Sequence, residues 1–292
     1  MKIHYTELFY SLQGEGRFVG VPSIFLRTFG CNLRCKKFGR DSDEIITGPN
    51  PEVSEIIKNI DLYTKFEDLP LVHTGCDSYS TIYPEFKKFA NKKSTEDIVD
   101  QMLALTPNNM WTQNNGNDVH LIITGGEPLL GWQRAYEELL SHPRMADLKN
   151  ITFETNGTQE LSENFKMFLR NWALDGIGAP REVTFSVSAK LSASGESWED
   201  AIKPETVTSY QDYGHVYLKF VVDNQSHFDE AVKAVDLYRA AGFKGNVYVM
   251  PVGGTTPVYD KNEFNVAELA LARGYYYSPR LHLNLYGNSW GT

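Results

Sequence analysis

The sequence predicts an α/β fold, a partial (β/α) barrel of the TIM type with about six parallel strands and an insertion after the first strand. Three observations predict it. Short apolar runs typical of buried strands alternate with helix-like runs along most of the chain. The repeated units are fewer than the eight of a complete barrel. One charged segment, residues 36–75, interrupts the rhythm. Repeated βα units favour a parallel sheet, and a doubly wound open sheet is the alternative.

The predicted elements follow from hydrophobic periodicity. The strand-like runs are residues 23–27, 119–124, 151–154, 183–187, 216–222 and 247–250, and a further apolar run at 281–285 closes the pattern. Helices are predicted at residues 132–140, 163–174 and 265–273, from Ser226 towards Gly242, and after Ser94, which resembles an N-cap with Asp97 three residues on. A weaker helical stretch follows residue 187, and a short one lies near residues 54–60.

The pattern predicts a single domain over residues 1–292. No internal repeat or low-complexity tract divides the chain. The segment 36–75 is too short to bury a core of its own, so it is interpreted as an insertion on the barrel.

Composition narrows the classes of function. The chain has 292 residues, 41% of them hydrophobic, and a formal net charge of −9. This charge argues against a broad nucleic-acid or anionic-membrane surface, which needs clustered Lys and Arg. No apolar run is long enough to span a bilayer, and the N-terminus lacks the apolar core of a signal peptide. We therefore expect a cytoplasmic protein.

Two loops carry candidate chemistry. Cys31 and Cys35 follow the first predicted strand, and residues 124–128 (TGGEP) follow the second. The third cysteine is Cys76, so the chain has three thiols, the number that holds a four-iron cluster with one iron open. Each loop alone is compatible with buried cysteines in a tight turn or an ordinary strand-to-helix turn. Together, after successive strands of a barrel, they indicate an active face.

At these residues the sequence resembles the radical S-adenosylmethionine (SAM) superfamily, and within it the 7-carboxy-7-deazaguanine synthase family. The resemblance is carried by residues 9–17 (FYSLQGEGR), 20–27 (GVPSIFLR), 30–33 (GCNL), 125–128 (GGEP), 154–158 (ETNGT), 188–190 (SAK), 218–219 (LK) and the C-terminal segment. It covers the whole chain in the expected order and implies a partial barrel of the radical SAM kind.

The resemblance implies a [4Fe–4S] cluster on Cys31, Cys35 and Cys76. The family normally has CxxxCxxC, and here Phe38 stands at the third position. Cys76 is followed by Asp77 and Ser78, similar to the Cys-Asp-Thr that ends the family's cluster loop. We interpret residues 36–75 as an insertion within this loop, which is tolerable because loop length costs entropy only logarithmically.

Roles for the other residues come from the same resemblance. It implies SAM contacts from Gly125, Gly126, Glu127, Pro128, Glu154, Asn156, Ser188 and Lys190. Ser78 is the expected Mg²⁺ ligand, since it matches the family's threonine. The expected substrate contacts are Leu12, Gln13, Gly14, Glu15, Arg27 and the C-terminal residue Thr292. On its own, Lys190 is better explained as a solvated lysine at a strand end, and Arg27 is as compatible with a salt-bridged strand-end arginine as with a ligand of the substrate.

The implied reaction is the ring contraction of 6-carboxy-5,6,7,8-tetrahydropterin to 7-carboxy-7-deazaguanine with loss of ammonia, a step of queuosine or preQ0-type 7-deazapurine biosynthesis. The implied partners are a reductant such as flavodoxin or ferredoxin and a second subunit in a homodimer. Alternatives are a radical SAM activase that makes a glycyl radical on a partner protein, and a cluster-free binding protein on a degenerate scaffold. A zinc site is weaker, because the chain has no Cys-x-x-Cys pair. We expect His282 to be a packed or surface histidine, since no second histidine lies at metal-ligand spacing.

Overall fold

The computed structural model describes residues 1–40, 44–174 and 181–292. Its strands are β1 (Lys2–Leu12), β2 (Pro22–Thr28), β3 (Asn91–Ser94), β4 (His120–Gly125), β5 (Asn150–Thr155), β6 (Glu182–Val187), β7 (His215–Val222), β8 (Val247–Pro251) and β9 (Tyr276–Tyr277). Its α-helices are α1 (Pro51–Lys58), α2 (Thr95–Leu105), α3 (Gln133–Leu140), α4 (Glu163–Leu174), α5 (Trp198–Ala201), α6 (Pro204–Ser209), α7 (Gln225–Ala240), α8 (Thr256–Arg273) and α9 (Leu281–Tyr286).

The strands of the described residues form one open sheet in the order β3-β1-β2-β4-β5-β6-β7-β8-β9. From β2 to β9 every neighbouring pair is parallel, whereas β1 is antiparallel to both β2 and β3. Six of the parallel strands are of ordinary length and β9 has two residues. The predicted α/β class with about six parallel strands is confirmed.

On two central strands, β5 and β7, apolar side chains face outwards and polar side chains face the cavity. On β5, Ile151 and Phe153 belong to the large core beneath the helices, while Glu154 faces the interior. On β7, Leu218 packs in the same core and Lys219 faces inwards. Because side chains alternate between the two faces of a strand, a polar interior requires a helix layer to cover the apolar outer face.

Strand β1 was not predicted, so the first strand expected at residues 23–27 is in fact the second. A bulge between Tyr5 and Glu7 shifts the register of β1 against β2. Tyr5 therefore packs in the core, whereas Glu7 and Phe9 face the interior. A bulge adds one residue and changes the face on which later side chains lie, which hides the two-residue period. Residues 36–75, which we interpret as an insertion and call the insertion below, consequently follow β2.

The apolar run at 281–285, taken as the end of the strand pattern, forms helix α9. The alternation of leucines imitates a strand, yet only Leu283 is buried and Leu285 is 51% exposed. Helix α8 also begins nine residues before the predicted Asn265, at Thr256. Pro257 in its first turn is a helix-start signal that apolar periodicity alone does not register.

Several helix boundaries agree closely with the sequence. Ser94 caps α2 in a capping box, in which its hydroxyl accepts from the Asp97 amide. Helix α4 has the predicted bounds. Helix α7 is capped by Asn224 rather than Ser226, and Gly242 follows its last turn with a positive φ of 97°.

The insertion is closed at its base by backbone hydrogen bonding. The Gly75 amide donates to the Phe38 carbonyl at 2.7 Å. Asn50 caps α1 by accepting from the Glu52 amide, and its own amide donates to the Lys36 carbonyl at 2.9 Å and to the Thr74 hydroxyl at 3.1 Å. Asn50 is buried. One side chain thus ties the first helix of the insertion to both ends of the segment.

A second apolar cluster joins the insertion to the barrel. It contains Val53, Ile56, Phe66, Leu69 and Val72 from the insertion and Tyr79, Ile82, Tyr83 and Phe86 from the chain after it. Cys31, Cys76 and Trp290 pack against this cluster. The insertion therefore shares its core with the rest of the chain.

Across the described ranges, we find no helix whose length and apolar character would let it traverse a bilayer.

We predict that Asn50→Ala destabilises the insertion, because the cap and both ties between its ends are lost. The expected cost is about 1–2 kcal/mol, measured as the free energy of unfolding in urea, with faster proteolytic cleavage within residues 51–74. Asn59→Ala is the control, since the Asn59 side chain bonds to Glu55 of the neighbouring helical turn. Equal proteolysis of the two variants would contradict this role for Asn50.

Candidate active site

One cavity of about 230 Å³ lies where the parallel strands end. Most predicted site residues line it: Leu12, Gln13, Gly14, Glu15, Arg27, Cys31, Cys35, Cys76, Ser78, Gly125, Gly126, Glu154, Asn156, Ser188, Lys190 and Thr292. Because the carboxyl ends of parallel strands share one edge, residues far apart in sequence meet there. Glu127 and Pro128 are the two predicted residues that do not line the cavity.

The three cysteines converge on this cavity. Cys35 is buried, and Cys31 and Cys76 are partly buried. Burial raises the pKa of Cys31 to about 11 and that of Cys76 to about 12, and it raises the pKa of Cys35 well above its ordinary value. The neighbouring thiols raise the pKa values of Cys35 and Cys76 further. Three mutually close thiols of this kind ionise when a cation compensates their charge.

Cys76 reaches the cavity through the closure of the insertion. The Phe38 carbonyl accepts a hydrogen bond from the Gly75 amide. Phe38 stands where the family has its third cysteine, and Cys76 is the residue directly after Gly75. Phe38 itself lines the cavity. The contact between Phe38 and Gly75 therefore places Cys76 at the same cavity as Cys31 and Cys35.

The two glycines of the 125–128 loop are required by close packing. A Cβ on Gly125 would lie 2.1 Å from the Thr28 carbonyl oxygen, and one on Gly126 would lie 2.3 Å from that of Gly30. Gly125 also has a φ of 138°, which L side chains rarely adopt. This loop therefore lies directly against the loop that carries Cys31, and any side chain at these positions would separate the two.

Glu127 lies behind the glycines and organises the neighbouring loop. It is 0% exposed, and its carboxylate accepts from the amides of Leu129 (3.0 Å) and Asn156 (2.7 Å) and from the Thr155 hydroxyl (2.8 Å). Burial raises the pKa of Glu127 despite these bonds. The Pro128 carbonyl accepts from the Tyr136 hydroxyl at 2.7 Å. Both residues position the walls of the cavity from outside it.

Glu154 and Asn156 extend from the end of β5. Glu154 accepts from the Gln13 amide at 2.9 Å and from the Thr124 hydroxyl at 3.1 Å. Asn156 donates to the Asn32 side chain at 3.0 Å, and its amide nitrogen lies 4.0 Å from the Cys31 sulfur. Asn156 therefore touches the cysteine loop while its own backbone is held by Glu127.

Lys190 is a cation whose charge acts on all three thiols. Its ammonium donates to the carbonyl and hydroxyl of Ser188 at 2.8 and 2.9 Å. Its charge lowers the pKa of each of the three cysteines, against the larger opposing effect of burial. Ser188 and Lys190 thus form a positive corner beside the cysteines, suited to a carboxylate.

A charged network surrounds Glu15 in the same cavity, and its two cations, Lys219 and Arg280, were not assigned by sequence reasoning. Lys219 and Arg280 are 3% and 7% exposed, and both pair with the Glu15 carboxylate. Arg280 also pairs with Asp77. Burial raises the pKa of Glu15, but Lys219 and Arg280 outweigh it and hold that pKa far below its ordinary value. The signal that was available is that Lys219 belongs to the motif at residues 218–219 and Arg280 to the C-terminal segment.

Arg27 connects the β-strand wall to the segment after the insertion. Its Nε donates to the Glu7 carboxylate at 2.7 Å, and its Nη1 donates to the Ser78 hydroxyl at 2.9 Å. Glu7, which was not predicted, also accepts from the Gly291 amide at 2.8 Å. Arg27 is therefore held in one orientation at the cavity surface, and Ser78 and Asp77 each face a guanidinium group.

The C-terminal segment closes one wall. His282 lines the cavity and packs so tightly on Gly14 that a Cβ there would lie 2.1 Å from its Nδ1. Burial, helped by the charge of Arg280, lowers the pKa of His282 to about 4. Trp290 lines the cavity and donates to the Leu69 carbonyl of the insertion at 2.7 Å. His282 is thus a packed histidine, as predicted, and also a wall residue.

The residues fit a cluster better than a single ion. Within residues 1–40, 44–174 and 181–292, no three His, Cys, Asp or Glu side chains are close enough to hold one metal ion. In a four-iron cluster each thiolate binds a different iron, so the cysteines stand further apart than the ligands of one ion. Three thiols around one cavity, beside a two-glycine cradle and Lys190, suit that arrangement.

Comparison with known proteins agrees with the motifs. No family model matches the chain. Among curated proteins it is similar to 7-carboxy-7-deazaguanine synthases of Halobacterium salinarum (29% identity, 97% of this chain and 90% of the relative) and Pyrobaculum aerophilum (26%, 99% and 97%). The relative from Rhodospirillum rubrum is 49% identical over 55 residues, 19% of this chain and 23% of its own length.

Among solved structures the chain is similar to the crystal structure of QueE from Escherichia coli, with a TM-score of 0.53 and 18% identity over 97% of this chain and 95% of that one. This likeness confirms the fold, a partial barrel with an open and mostly parallel sheet. The resemblance inferred from the motifs is confirmed as well: over almost its entire length the chain is similar to the 7-carboxy-7-deazaguanine synthases.

Proposed function

We propose that this protein is a radical SAM lyase that converts 6-carboxy-5,6,7,8-tetrahydropterin to 7-carboxy-7-deazaguanine with loss of ammonia. The observation that carries the proposal is the closure of the insertion, which brings Cys76 to the cavity that Cys31 and Cys35 line. The near full-length similarity to named 7-carboxy-7-deazaguanine synthases supports it.

Cys31, Cys35 and Cys76 would hold a [4Fe–4S] cluster and leave one iron open. When bound, such a cluster would supply the electron for reductive cleavage of SAM, the chemistry that hydrogen abstraction from the pterin requires. The chain's own residues position these groups and exclude water. Lys190 and the glycine loop, on either side of the cysteines, would fix SAM next to the open iron.

We assign the SAM contacts from the resemblance, and the cavity that Gly125, Gly126, Glu154, Asn156, Ser188 and Lys190 all line supports the assignment. Gly125 and Gly126 present backbone to the methionine end, and Ser188 and Lys190 bind its carboxylate. Glu154 and Asn156 face the ribose side. Glu127 and Pro128 act indirectly, since the three bonds of the Glu127 carboxylate hold Asn156 and the loop after β5 in place.

The substrate side is the charged network. The pterin has a guanine-like edge of donors and acceptors, which Gln13 and Glu15 can read. Gly14 allows close approach of the backbone, and Leu12 lines the same cavity. Arg27 would bind the substrate carboxylate, because its fork is already oriented by Glu7 and Ser78. Thr292 lies at the rim of the same cavity and completes the wall.

We also propose that Ser78 contributes to a Mg²⁺ site. Its hydroxyl and the neighbouring Asp77 carboxylate are oxygen ligands of the type Mg²⁺ prefers, and this ion commonly keeps several waters with one or two protein ligands. Ser78 is bonded to Arg27 and Asp77 to Arg280. We therefore expect the ion to bind together with the anionic substrate, because the substrate carboxylate can replace Ser78 as the partner of Arg27.

Further expectations come from the resemblance. We expect a cytoplasmic enzyme that receives electrons from a flavodoxin or ferredoxin, forms a homodimer and acts without nucleic acid or membrane. The comparisons give no support to a glycyl-radical activase or a cluster-free binding protein.

The central test is an anaerobic assay of the reconstituted protein with SAM, dithionite, Mg²⁺ and 6-carboxytetrahydropterin. We expect 7-carboxy-7-deazaguanine by mass spectrometry. Cleavage of SAM to 5′-deoxyadenosine without that product would support the cluster assignment but refute the proposed substrate. A fully loaded protein that makes neither product would refute the proposed activity.

Cys76→Ala tests the third ligand. Because two thiolates hold a four-iron cluster poorly, we expect iron to fall from about four per chain to below one and product formation to fall at least about 100-fold. Thr64→Ala, an exposed change in the same insertion whose partner is Asp68, should keep full iron. Full iron and activity in Cys76→Ala would refute its role.

Arg27→Lys tests the carboxylate contact. Lysine keeps the charge but loses the planar fork, so we expect the KM for the carboxylated pterin to rise about 10- to 100-fold, with the KM for SAM changed little. Arg144→Lys, at an exposed pair with Asp100, is the control. An unchanged pterin KM in Arg27→Lys would place the substrate carboxylate elsewhere.

A further inference from the structure

We propose that Glu196 is a positioning residue for the iron–sulfur cluster, which holds the backbone at Cys35 in its ligating conformation and makes the cluster harder to reduce through its negative charge. This inference rests on the proposed function. Glu196 lies in the loop after β6 and was not singled out in the sequence.

The first support is a direct contact with the cysteine loop. One oxygen of the Glu196 carboxylate accepts from the Arg34 amide at 2.7 Å and from the Cys35 amide at 2.5 Å. Successive amides that converge on one carboxylate oxygen define the direction of the peptide between them. The side chain of Cys35 is therefore oriented by a residue 161 positions further along the chain.

The second support is the conformation of Cys35. Its φ is +47°, in the left-handed region that residues other than glycine rarely occupy. Such a conformation persists only when its surroundings determine it. The bond from the Cys35 amide to Glu196 holds the chain on one side of this residue, and the bond from the Lys37 amide to the Ser194 carbonyl holds it on the other.

The third support is that the Glu196 loop is itself firmly held. The Ser194 hydroxyl is buried, accepts from the Glu196 amide at 3.2 Å and donates to the Leu191 carbonyl at 2.7 Å. The Ser194 carbonyl accepts from the Lys37 amide at 3.1 Å. The loop after β6 therefore bonds to the cysteine loop both before Cys35, at Arg34, and after it, at Lys37.

The fourth support is electrostatic. Amides that donate to cluster sulfurs raise a cluster's reduction potential, and added negative charge lowers it. The Leu33 amide lies 3.4 Å from the Cys31 sulfur in this way. The Cys35 amide instead donates to a carboxylate, so this part of the loop supplies negative charge in place of a donor.

The same loop continues from Ser188 and Lys190, the proposed carboxylate site for SAM. Glu196 therefore couples the position of Cys35 to that of the SAM carboxylate through a short, hydrogen-bonded segment. We expect the coupling to keep the open iron and the SAM anchor at a fixed separation.

The test uses Glu196→Gln, Glu196→Ala and the control Glu199→Gln in the full chain. Glu199 carries the same charge, is exposed, and its side chain makes no hydrogen bond to the cysteine loop in the part of the chain that the structure describes. Two readouts are combined: amide hydrogen exchange over residues 33–37 in the protein without iron, and iron content with the midpoint potential of the reconstituted cluster.

We expect Glu196→Ala to raise exchange at Arg34 and Cys35 at least 10-fold and to lose most of its iron. Glu196→Gln, which keeps an acceptor oxygen, should retain iron and shift the midpoint potential to more positive values, while Glu199→Gln leaves both readouts as in the parent. Unchanged exchange in Glu196→Ala, or equal potentials in the two Gln variants, would overturn the proposal. If Glu196→Ala loses exchange protection but the parent protein binds no iron, the cluster assignment and the proposed function are both overturned.

Discussion

The hydrogen bond from the Gly75 amide to the Phe38 carbonyl is the contact on which the rest of the site depends. It joins the two ends of a long insertion, and Cys76 follows it directly. Asn50 reinforces the closure by bonding to both ends and by capping the first helix between them. The contacts of Asp77 with Arg280 and of Ser78 with Arg27 follow from the same placement, because both residues continue from Cys76.

Two sets of buried groups line the cavity, the three thiols and the ion pairs of Glu15. Burial raises the pKa of each thiol, which favours the neutral cysteines over the thiolates. Buried Lys219 and Arg280 hold Glu15 ionised. A network fixed by buried ion pairs is preorganised, and its charges act strongly because burial lowers the local dielectric constant.

Much of the fold and the residue set was predictable because each signal was local. The capping box at Ser94 and the bounds of α4 depend on neighbours a few residues away. The bulge in β1 was not predictable, since it removes the alternation on which strand prediction relies. The indirect role of Glu127 and the contact of Glu196 with Cys35 were also hidden, because both arise from pairings between residues distant in sequence. The motifs could name Arg27 and Lys190, but only the three-dimensional arrangement shows which partners orient them.

The bulge in β1 has a consequence for how this chain can vary. Before it, Tyr5 faces the helices, and after it, Glu7 and Phe9 face the cavity, so one additional residue sets the phase of the whole second half of the strand. Loss of that residue would turn a carboxylate into the apolar layer and withdraw the partner of Arg27. By contrast, a change of length within the insertion need not alter the phase of a strand, although Val53 and Phe66 must keep their places in the shared apolar cluster. The constraints on insertion and deletion therefore differ along the first quarter of the chain: near its start one residue sets the phase of a strand, whereas soon after it the constraint is packing.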